Sequence, residues 1–443
     1  MAPAVDRVLS DPAPPTRTDV VIVGGGIIGA CTAFFLAGQG VRVALCEKGE
    51  IAAEQSSRNW GWCRQMGRDP GELPLAQEAL RLWPQMNALI GAETGFRRAG
   101  ILYLCRTDKE LAKREAWLNE AGRPLGVDSR LLTRVQAARL LPGLAGEWAG
   151  GLYTPSDGRA EPGMAAPAIA QAARRLGAAV LTGCAVRGVE TSGGRISGVV
   201  TEKGAIACDS VVLAGGVWSR LFCKPLGLRM PQLPILSSVM RTDPLAGGPE
   251  ISTSGFGFGL RKRLDGGYTV ASWSGNVAPI LPDGIRYLPD FLPALWAQRG
   301  GIRPRLGMGF FRELLQRSRW RLDRPSPFER MRVLDPPPHR AILRQARRHL
   351  TNAFPVFQSM RVAESWGGMI DVTPDGIPVI SAVDTLPGFH IATGFTGHGF
   401  GISPAAGQLM AALVTGKAPV VDPAPFRYSR FTDGSHPRPS HLV

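Results

Sequence analysis

Several features are missing from the 443-residue sequence, and each absence argues against a class of protein. No stretch of 18 or more residues is continuously apolar, so no transmembrane helix is expected. The first 19 residues lack a basic region followed by an apolar core, which argues against a secretory signal peptide. The seven cysteines are odd in number and include no CxxC pair. We therefore expect a cytoplasmic protein with reduced thiols and no disulfide framework.

Motifs of two common hydrolase classes are absent as well. The sequence contains no GxSxG nucleophile elbow and no HExxH zinc motif. The six histidines are scattered, at His339, His349, His390, His398, His436 and His441. We expect no dedicated metal site.

Basic residues outnumber acidic ones, and the formal net charge is +15. Only seven of the 51 basic residues are Lys, so nearly all of the positive charge is Arg. The charge is spread along the chain, with a denser stretch at 303–348 that contains no recognisable nucleic-acid motif. We therefore expect no nucleic-acid partner. An anionic ligand, or peripheral contact with an anionic membrane surface, fits the charge better.

The clearest pattern lies in the first fifty residues. Residues 18–23 (TDVVIV) predict a buried parallel strand, residues 27–37 a helix, and residues 41–46 a second strand. Three glycines in GxGxxG spacing separate the first strand from the helix, and an acidic residue follows the second strand. A glycine-rich turn alone would not bring these parts into register. The sequence therefore predicts a dinucleotide-binding βαβ unit.

Each part of this unit has a physical role. Gly24 permits the tight turn, Gly26 lets the backbone approach a pyrophosphate, and Gly29 lets the helix pack against the strand. The helix N-terminus offers free N–H groups and a positive dipole end to the phosphates. Glu47 can accept hydrogen bonds from both ribose hydroxyls, which favours a plain ribose over a 2′-phosphate.

Four later segments combine buried strands with small residues or glycine-rich turns. They are SSRNWG at 56–61, VVLAGGVWS at 211–219, TPDGIPVI at 373–380 and GFTGHGFGISPAAG at 394–407. The last segment follows a predicted strand at 389–392 and leads into a helix. We expect both ends of the chain to contribute to one cofactor site.

Together these pieces resemble the D-amino-acid oxidase superfamily of flavoproteins, in the branch of glycine oxidase, sarcosine oxidase and D-amino-acid dehydrogenase. The motifs occur in order from residue 19 to about 412. The resemblance implies an α/β fold, with a Rossmann-type FAD-binding domain and an interleaved α+β substrate domain built on an antiparallel sheet.

The expected domains are discontinuous. The FAD-binding domain is placed at 18–90, 158–232 and 362–425, and the substrate domain at 91–157 and 233–361. A basic insertion at about 280–350 could form a lid, a dimer surface or a docking site for an electron acceptor. Residues 1–17 and 430–443 are expected to be tails.

The resemblance also implies the residues that hold FAD. They are Gly24, Gly26, Ile27, Ile28, Gly29, Glu47, Lys48, Ser56, Ser57, Asn59, Trp60, Gly61, Val186, Gly215, Trp218, Gly394, Thr396, Gly397, His398, Gly399, Phe400, Gly401 and Ile402. No Cys lies at 366–371, and Asn59 stands near the place where some relatives attach FAD through His. The cofactor is therefore expected to be non-covalent.

The carboxylate anchor departs from the family pattern. Relatives place an Arg just before the TPDG-like motif, whereas residues 369–371 here are Met, Ile and Asp. Sarcosine oxidases have a Lys after GHGF, and Gly401 occupies that position here. The anchor must come from elsewhere, or the substrate has no carboxylate.

Arg64 is the best candidate anchor. Its spacing from the diphosphate segment resembles that of the carboxylate-binding Arg in sarcosine oxidases. A guanidinium group can hold a carboxylate through two parallel hydrogen bonds. The structural alternative is a solvated Arg64, or one paired with Asp69 or Glu72.

Four further residues are considered for the chemistry. His398 is expected to touch the flavin or a polar group of the substrate, unless it is structural. Trp366 is a candidate wall of the pocket, for which core packing is the alternative. Arg261 and Lys262 lie on a predicted strand, where alternation directs only one of them inward. A cation near flavin N5 would favour reaction with oxygen, and a solvated strand face is the alternative.

The function implied is FAD-dependent oxidation of an amino acid. A hydride leaves the amine-bearing carbon, the imine hydrolyses to a keto acid and ammonia, and the electrons pass to O2 or a quinone. Protein side chains contribute mainly positioning and electrostatics to such a reaction. Alternatives are an N-substituted substrate such as sarcosine or an opine, a flavin-binding subunit of a hetero-oligomer, or an NAD-dependent dehydrogenase. A homodimer also remains open.

Overall fold

The computed structural model describes residues 2–273, 275–297, 301–316, 318–435 and 437–439. The strands are β1 Val20–Val23, β2 Val43–Cys46, β3 Trp62–Cys63, β4 Ile101–Cys105, β5 Arg130–Thr133, β6 Gly150–Thr154, β7 Gly158–Arg159, β8 Ala179–Leu181, β9 Val186–Ser192, β10 Arg195–Thr201, β11 Gly204–Ala207, β12 Ser210–Leu213, β13 Leu233–Thr242, β14 Ser252–Gly255, β15 Phe258–Lys262, β16 Tyr268–Ala271, β17 Asn276–Pro279, β18 Ile302–Arg305, β19 Val362–Val372, β20 Val379–Ala382 and β21 Phe389–Thr393. The α-helices are α1 Ile27–Ala37, α2 Gln55–Arg58, α3 Leu73–Ile90, α4 Asp108–Trp117, α5 Arg134–Leu140, α6 Pro162–Arg175, α7 Ser219–Cys223, α8 Pro282–Arg286, α9 Leu288–Ala297, α10 Met308–Leu314, α11 Pro327–Arg330, α12 Arg340–Ala353 and α13 Gly399–Thr415.

A six-stranded sheet carries the βαβ unit, in the order β20-β21-β12-β1-β2-β8. All its strand pairs are parallel except β20 with β21. Every residue of β1 and β2 is buried, as expected for strands covered on both faces. The predicted helix at 27–37 is confirmed as α1, which packs between the sheet and the helices α6 and α13.

A ten-stranded sheet forms the second layer, and β13 lies inside it. Most of its pairs are antiparallel, as the family resemblance implies, but β14 with β4 and β17 with β18 are parallel. The longest pairing joins β13 to β19 along nearly their whole lengths. Residues 362–372, which the sequence analysis assigned to the FAD-binding domain, therefore pair within this large sheet. The six-stranded sheet resumes at β20, so β19 links the two sheets.

The basic insertion divides into two parts. Helix α12 buries an apolar face, including Ile342, Ala346 and Leu350, against the large sheet. Helices α9 and α10 instead leave large apolar side chains exposed. Arg299 and Arg317 of the insertion lie outside the described residues.

Segments predicted as tails contact the body of the protein. Asp11 forms an ion pair of 2.7 Å with Arg174, and Val8 is buried. Arg430 is buried and donates to Asp375 at 2.8 Å. Residues 436 and 440–443, which include His436 and His441, lie outside the described part of the chain.

Two further features bear on the class of protein. All seven cysteines are buried and free. Among the helices of the described residues, none combines the length and apolar character that crossing a bilayer requires.

Candidate active site between the two sheets

The glycines of the βαβ unit are required by close backbone contacts. Gly24 has φ of +112°, and a Cβ there would lie 2.4 Å from the Ala214 carbonyl oxygen. A Cβ on Gly29 would lie 2.0 Å from the Gly24 carbonyl oxygen. These positions bring β1, α1 and the end of β12 closer together than any side chain allows. The result is an open helix N-terminus facing the strand ends, which suits a pyrophosphate.

Glu47 is fixed at the end of β2. Its two carboxylate oxygens accept hydrogen bonds from the backbone N–H groups of Gly25 and Gly49, each at 2.7 Å. Burial raises the pKa of this carboxyl group. Each oxygen keeps a second lone pair for a ribose hydroxyl.

A first cavity runs from Glu47 along the helix N-terminus toward the C-terminal glycine-rich loop. The predicted FAD-binding residues that line it are Gly24, Gly26, Ile27, Ile28, Glu47, Lys48, Ser56, Asn59, Val186, Gly215, Trp218, Gly397, Gly399 and Phe400. The chain therefore brings together residues from both ends at one elongated site, as the sequence predicted. These residues fit FAD. Along the cavity they offer a carboxylate that can accept from a ribose, a helix N-terminus that can bind phosphates, and a glycine loop that the flavin ring can approach.

Some predicted FAD-binding residues lie elsewhere. Gly29, Ser57, Gly61, Gly394 and Ile402 line neither this cavity nor the next one. They contribute to backbone geometry or to core packing instead. For example, Ser57 donates to the Glu54 carbonyl, and Ile402 is fully buried. Trp60, Thr396, His398 and Gly401 line the second cavity.

The sequence analysis missed the residues that close the cavity near Lys48. Phe328 lines the cavity, although it belongs to the insertion. Lys48 Nζ donates to Glu54 at 2.7 Å and to the carbonyl of Arg332 at 2.7 Å. Glu54 also accepts from the Trp218 indole N–H at 3.0 Å. The insertion therefore packs over this end of the cofactor site, through partners too distant in sequence to be predicted.

The loop at the other end is held by a buried acid. Asp371 Oδ2 accepts from the Gly394 N–H at 2.7 Å, and burial raises the pKa of Asp371. Thr396 and Gly397 then turn through positive φ angles of 48° and 79°. This turn brings Gly397 into the lining of both cavities.

A second cavity of about 570 Å³ adjoins the first one. The two cavities share Gln55, Asn59, Gly397 and Phe400 in their linings. Since the shared residues include the C-terminal glycine loop, the second cavity opens onto the part of the first where the flavin ring is expected. It is the candidate substrate site.

Four aromatic side chains form one wall of this cavity. Trp60 and Trp273 lie 4.6 Å apart between ring centroids, and Trp62 lies 5.7 Å from Trp273. Tyr103 lies 5.8 Å from Trp273. Within the described residues, the indole N–H groups of Trp62 and Trp273 and the Tyr103 hydroxyl have no hydrogen-bond partner. The wall therefore offers an apolar surface to a ligand, while these three polar atoms are buried behind it.

Arg64 lines the same cavity, and only 4% of it is exposed. Its guanidinium lies 5.6 Å from the Tyr103 ring centroid and 5.7 Å from that of Trp273, and it donates to the Met66 carbonyl. Among the described residues, no carboxylate lies within ion-pair distance of it, since Glu72 pairs with Arg68 instead. A buried cation without a carboxylate partner is costly, so this site favours an anionic ligand.

The segment that carries Arg64 is held by Asp157, which is fully buried. Asp157 accepts hydrogen bonds from the backbone N–H of Gln65 at 2.8 Å and of Met66 at 3.4 Å. Burial raises the pKa of Asp157 to about 7. This support fixes the backbone on the C-terminal side of Arg64.

A group of three charged or polar side chains lies beside Arg64; Arg68 and Glu72 are buried, and His398 is partly exposed. The Glu72 carboxylate lies 3.9 Å from Arg68 Nη1 and 3.4 Å from His398 Nδ1. Burial would raise the pKa of Glu72, but Arg68 and His398 lower it to about 2. Burial and Arg68 lower the pKa of His398 to about 4, and burial and Arg64 lower the pKa of Arg68 to about 10.

Two other candidates for the chemistry lie away from both cavities. Arg261 points inward, as strand alternation predicted for one of the pair, and Lys262 contacts Glu250 at the surface. However, Arg261 forms a buried ion pair of 2.7 Å with Glu161, which compensates its charge. Trp366 is buried behind Trp60 and donates to the Arg58 carbonyl at 3.1 Å. Neither residue lines a cavity, so the structure gives both a packing role.

Comparison with known proteins agrees with this geometry. A family model described as "DAO: FAD dependent oxidoreductase" matches residues 19–413. The chain belongs to this family. FAD is therefore the cofactor, the first cavity is its candidate site, and the resemblance predicted from the motifs is confirmed.

Individual members of the family show the extent of the similarity. The structure of an L-amino acid deaminase from Proteus myxofaciens is 35% identical, with a TM-score of 0.92 and 97% of each chain covered. Sarcosine oxidase subunit beta of Rhizobium meliloti is 28% identical over 96% of this chain and 90% of its own length. Glycine oxidase of Pseudomonas aeruginosa is 26% identical over 92% of this chain and 97% of its own length.

Proposed function

We propose that this protein oxidises L-amino acids at the amine-bearing carbon. The observation that carries the proposal is the buried cation Arg64, which has no ion-pair partner among the described residues, in a cavity that adjoins the candidate FAD site. When bound, FAD accepts the hydride from the α-carbon. The resulting imine takes up water and yields a keto acid and ammonia.

The carboxylate of the substrate is placed at Arg64. A guanidinium presents two parallel N–H donors to a carboxylate, and ion pairing is strong where water is excluded. The stacking of Arg64 against Tyr103 and Trp273 limits its rotation, so little conformational entropy is lost on binding. This arrangement would orient the α-carbon toward the residues that the two cavities share.

The side chain of the substrate is placed against the aromatic wall. Trp60, Trp62, Tyr103 and Trp273 offer a continuous apolar surface, which favours a large apolar or aromatic side chain. The similar deaminase from Proteus myxofaciens was solved in complex with anthranilate, an aromatic carboxylate. The name of that protein, L-amino acid deaminase, also supports an L-amino acid over a D-amino acid as the substrate.

Product analysis with racemic substrates tests this proposal. We expect incubation of the purified protein with racemic phenylalanine or leucine to consume the L enantiomer and form keto acid and ammonia in equal amounts. Racemic alanine should react more slowly, because its methyl side chain is too small to make extensive contact with the aromatic wall. Depletion of the D enantiomer, or ammonia without keto acid, would contradict the proposal.

An N-substituted substrate or a partner-dependent subunit is the second candidate. The similarity to sarcosine oxidase subunit beta over most of both chains favours it. Formation of formaldehyde from N-methyl amino acids would support an N-substituted substrate. Turnover only after a cell extract is added would support a partner-dependent subunit. We place the single chain's own turnover first because the cofactor and substrate cavities are both formed within it.

We propose a quinone as the electron acceptor, with the insertion docked on an anionic membrane surface. The support is a set of exposed apolar side chains in α9, in α10 and directly after α10, namely Leu292, Leu295, Met308, Phe311, Leu314 and Leu315. Exposed arginines, including Arg303, Arg305, Arg312 and Arg319, lie on the same insertion. Apolar side chains flanked by Arg are typical of segments that lie in a membrane interface. This contact would be peripheral, on the cytoplasmic side, where the seven free cysteines stay reduced.

Vesicle sedimentation tests the docking. We expect the protein to sediment with phosphatidylcholine vesicles that contain phosphatidylglycerol, and less with phosphatidylcholine alone. The double variant Phe311→Ser, Leu315→Ser should lose most of this binding. A matched variant, Leu89→Ser, Val135→Ser, removes two exposed apolar side chains outside the insertion and should bind normally. Equal binding by both variants would contradict the docking. Size-exclusion chromatography on the same variants would show whether this surface instead forms a homodimer.

A further inference from the structure

His398 stands between the cofactor and substrate cavities. It precedes α13 as the N-cap residue, and its neighbours Gly397 and Gly399 both line the cofactor cavity. The imidazole lines the substrate cavity, where 27% of the side chain is exposed. It is therefore accessible to a substrate held at Arg64.

Glu72 faces one ring nitrogen of His398. Its carboxylate is almost fully buried and lies 3.4 Å from Nδ1, at ion-pair distance but without the geometry of a hydrogen bond. With the pKa of Glu72 at about 2, this carboxylate is negatively charged and attracts a ring nitrogen that carries a hydrogen. The tautomer with its hydrogen on Nδ1 is therefore favoured, and it leaves the lone pair of Nε2 for the cavity.

We propose that His398 Nε2 accepts a proton from the substrate ammonium group, with Glu72 as the positioning residue behind it; this rests on the proposed amino-acid oxidation. An amino acid arrives as a zwitterion, and its nitrogen needs a free lone pair before a hydride can leave the adjacent carbon. One N–H bond of the ammonium breaks, its electron pair stays on nitrogen, and an N–H bond forms at Nε2. The resulting imidazolium faces the Glu72 carboxylate, and its proton later leaves through the cavity to water.

The charges around the imidazole make this step depend on the substrate. The charged groups that line the cavity are Arg64, Arg68, Asp69 and Glu72 before α3, Arg58 in α2, Glu110 and Arg114 in α4, and Asp375 after β19. Arg58 and Asp375 have ion-pair partners in Asp335 and Arg430. Without substrate, burial and Arg68 hold the pKa of His398 near 4.

A substrate carboxylate at Arg64 adds a negative charge beside Arg68. It offsets the positive charges that disfavour the imidazolium, so the proton affinity of His398 increases. The anionic group that anchors the substrate would therefore also strengthen the proton acceptor. A bound amine without a carboxylate would lack this effect.

The test is the pH dependence of anaerobic flavin reduction by L-phenylalanine in the holoenzyme. In the wild type we expect the rate to rise through a pKa well below that of the free ammonium group. In His398→Asn, the amide keeps a donor that can face Glu72, but Nε2 is lost. We expect the rising limb to move up to the ammonium pKa of the amino acid. At neutral pH the rate should therefore fall, and the two enzymes should converge at high pH.

A second variant separates positioning from folding. Glu72→Gln keeps Nε2 but removes the charge that faces the imidazolium, so we expect a smaller loss and a limb that stays below the ammonium pKa. The flavin spectrum of each variant checks that the cofactor site is intact. A uniform loss at every pH, or an unshifted limb in His398→Asn, would overturn the inference. If no amino acid reduces the wild-type flavin, the proposed function itself fails.

Discussion

Replacement of Arg64 offers a quantitative test of the substrate site. Arg64→Met keeps an unbranched stem between Tyr103 and Trp273 but removes the guanidinium. Since no carboxylate in the described part of the chain lies within ion-pair distance of Arg64, the change breaks no ion pair between described residues. Its main consequence should be the loss of the substrate carboxylate contact.

The magnitude follows from the burial of the pair. Truncation of one partner of a buried, hydrogen-bonded charge pair costs about 2–5 kcal/mol. A loss of about 3 kcal/mol corresponds to an increase in the Kd of the substrate of roughly 100-fold. Arg64→Lys keeps the charge but not the two parallel donors, so we expect an increase of about 10-fold.

The assay is the substrate dependence of anaerobic flavin reduction, which gives Kd separately from the limiting rate. Titration of the oxidised holoenzyme with anthranilate gives an independent Kd for an unreactive carboxylate, and both should increase together. An unchanged Kd for both ligands in Arg64→Met, with a normal flavin spectrum, would refute the assignment of Arg64 as the anchor.

Three further predictions concern the cofactor, the aromatic wall and acid stability. Gly29→Ala places a Cβ 2.0 Å from the Gly24 carbonyl oxygen, so the variant should purify with little FAD, as the ratio of flavin to protein absorbance would show. Trp273→Ala removes an apolar wall worth about 1.5–3 kcal/mol, so the ratio of kcat/KM for phenylalanine over alanine should fall at least about 10-fold; an unchanged ratio would contradict the wall. The pKa of Glu72 is lowered from 4.5 to about 2, so its stabilising effect is present above pH 4.5 and is lost as the pH falls toward 2. At neutral pH the free energy of unfolding of the wild type should therefore exceed that of Glu72→Gln by roughly 3 kcal/mol. The corresponding difference in Tm should decrease between pH 4.5 and 2, and a constant difference would contradict the lowered pKa of Glu72.

The cofactor site was predictable because its determinants are local in sequence. Gly24, Gly26 and Gly29 lie close together where β1 leads into α1, and their spacing predicts that the backbone makes close contacts there. Glu47 follows a short strand whose pairing with β1 is fixed by two buried apolar runs. Such short-range patterns determine geometry almost without tertiary information.

The substrate site could not be predicted to the same extent. Its aromatic wall joins Trp60 and Trp62, before and in β3, to Tyr103 in β4 and Trp273 after β16, and only tertiary packing brings these segments together. Alternation predicted that one of Arg261 and Lys262 points inward, but it predicted neither which one nor the ion pair of Arg261 with Glu161, which lies 100 residues away. Likewise, Glu72 has no local signal that it pairs with His398 across the cavity. Whether a buried charge has an ion-pair partner depends on residues far away along the chain, and the sequence alone does not show which of them lie nearby in the fold.

Anaerobic mixing of the purified single chain with each enantiomer of phenylalanine is the direct test of L-amino-acid oxidation. We expect L-phenylalanine to bleach the oxidised flavin band completely and D-phenylalanine to leave it unchanged. Bleaching by the D enantiomer alone, or by neither enantiomer while N-methyl amino acids react, would contradict the claim that this cavity binds L-amino acids for oxidation.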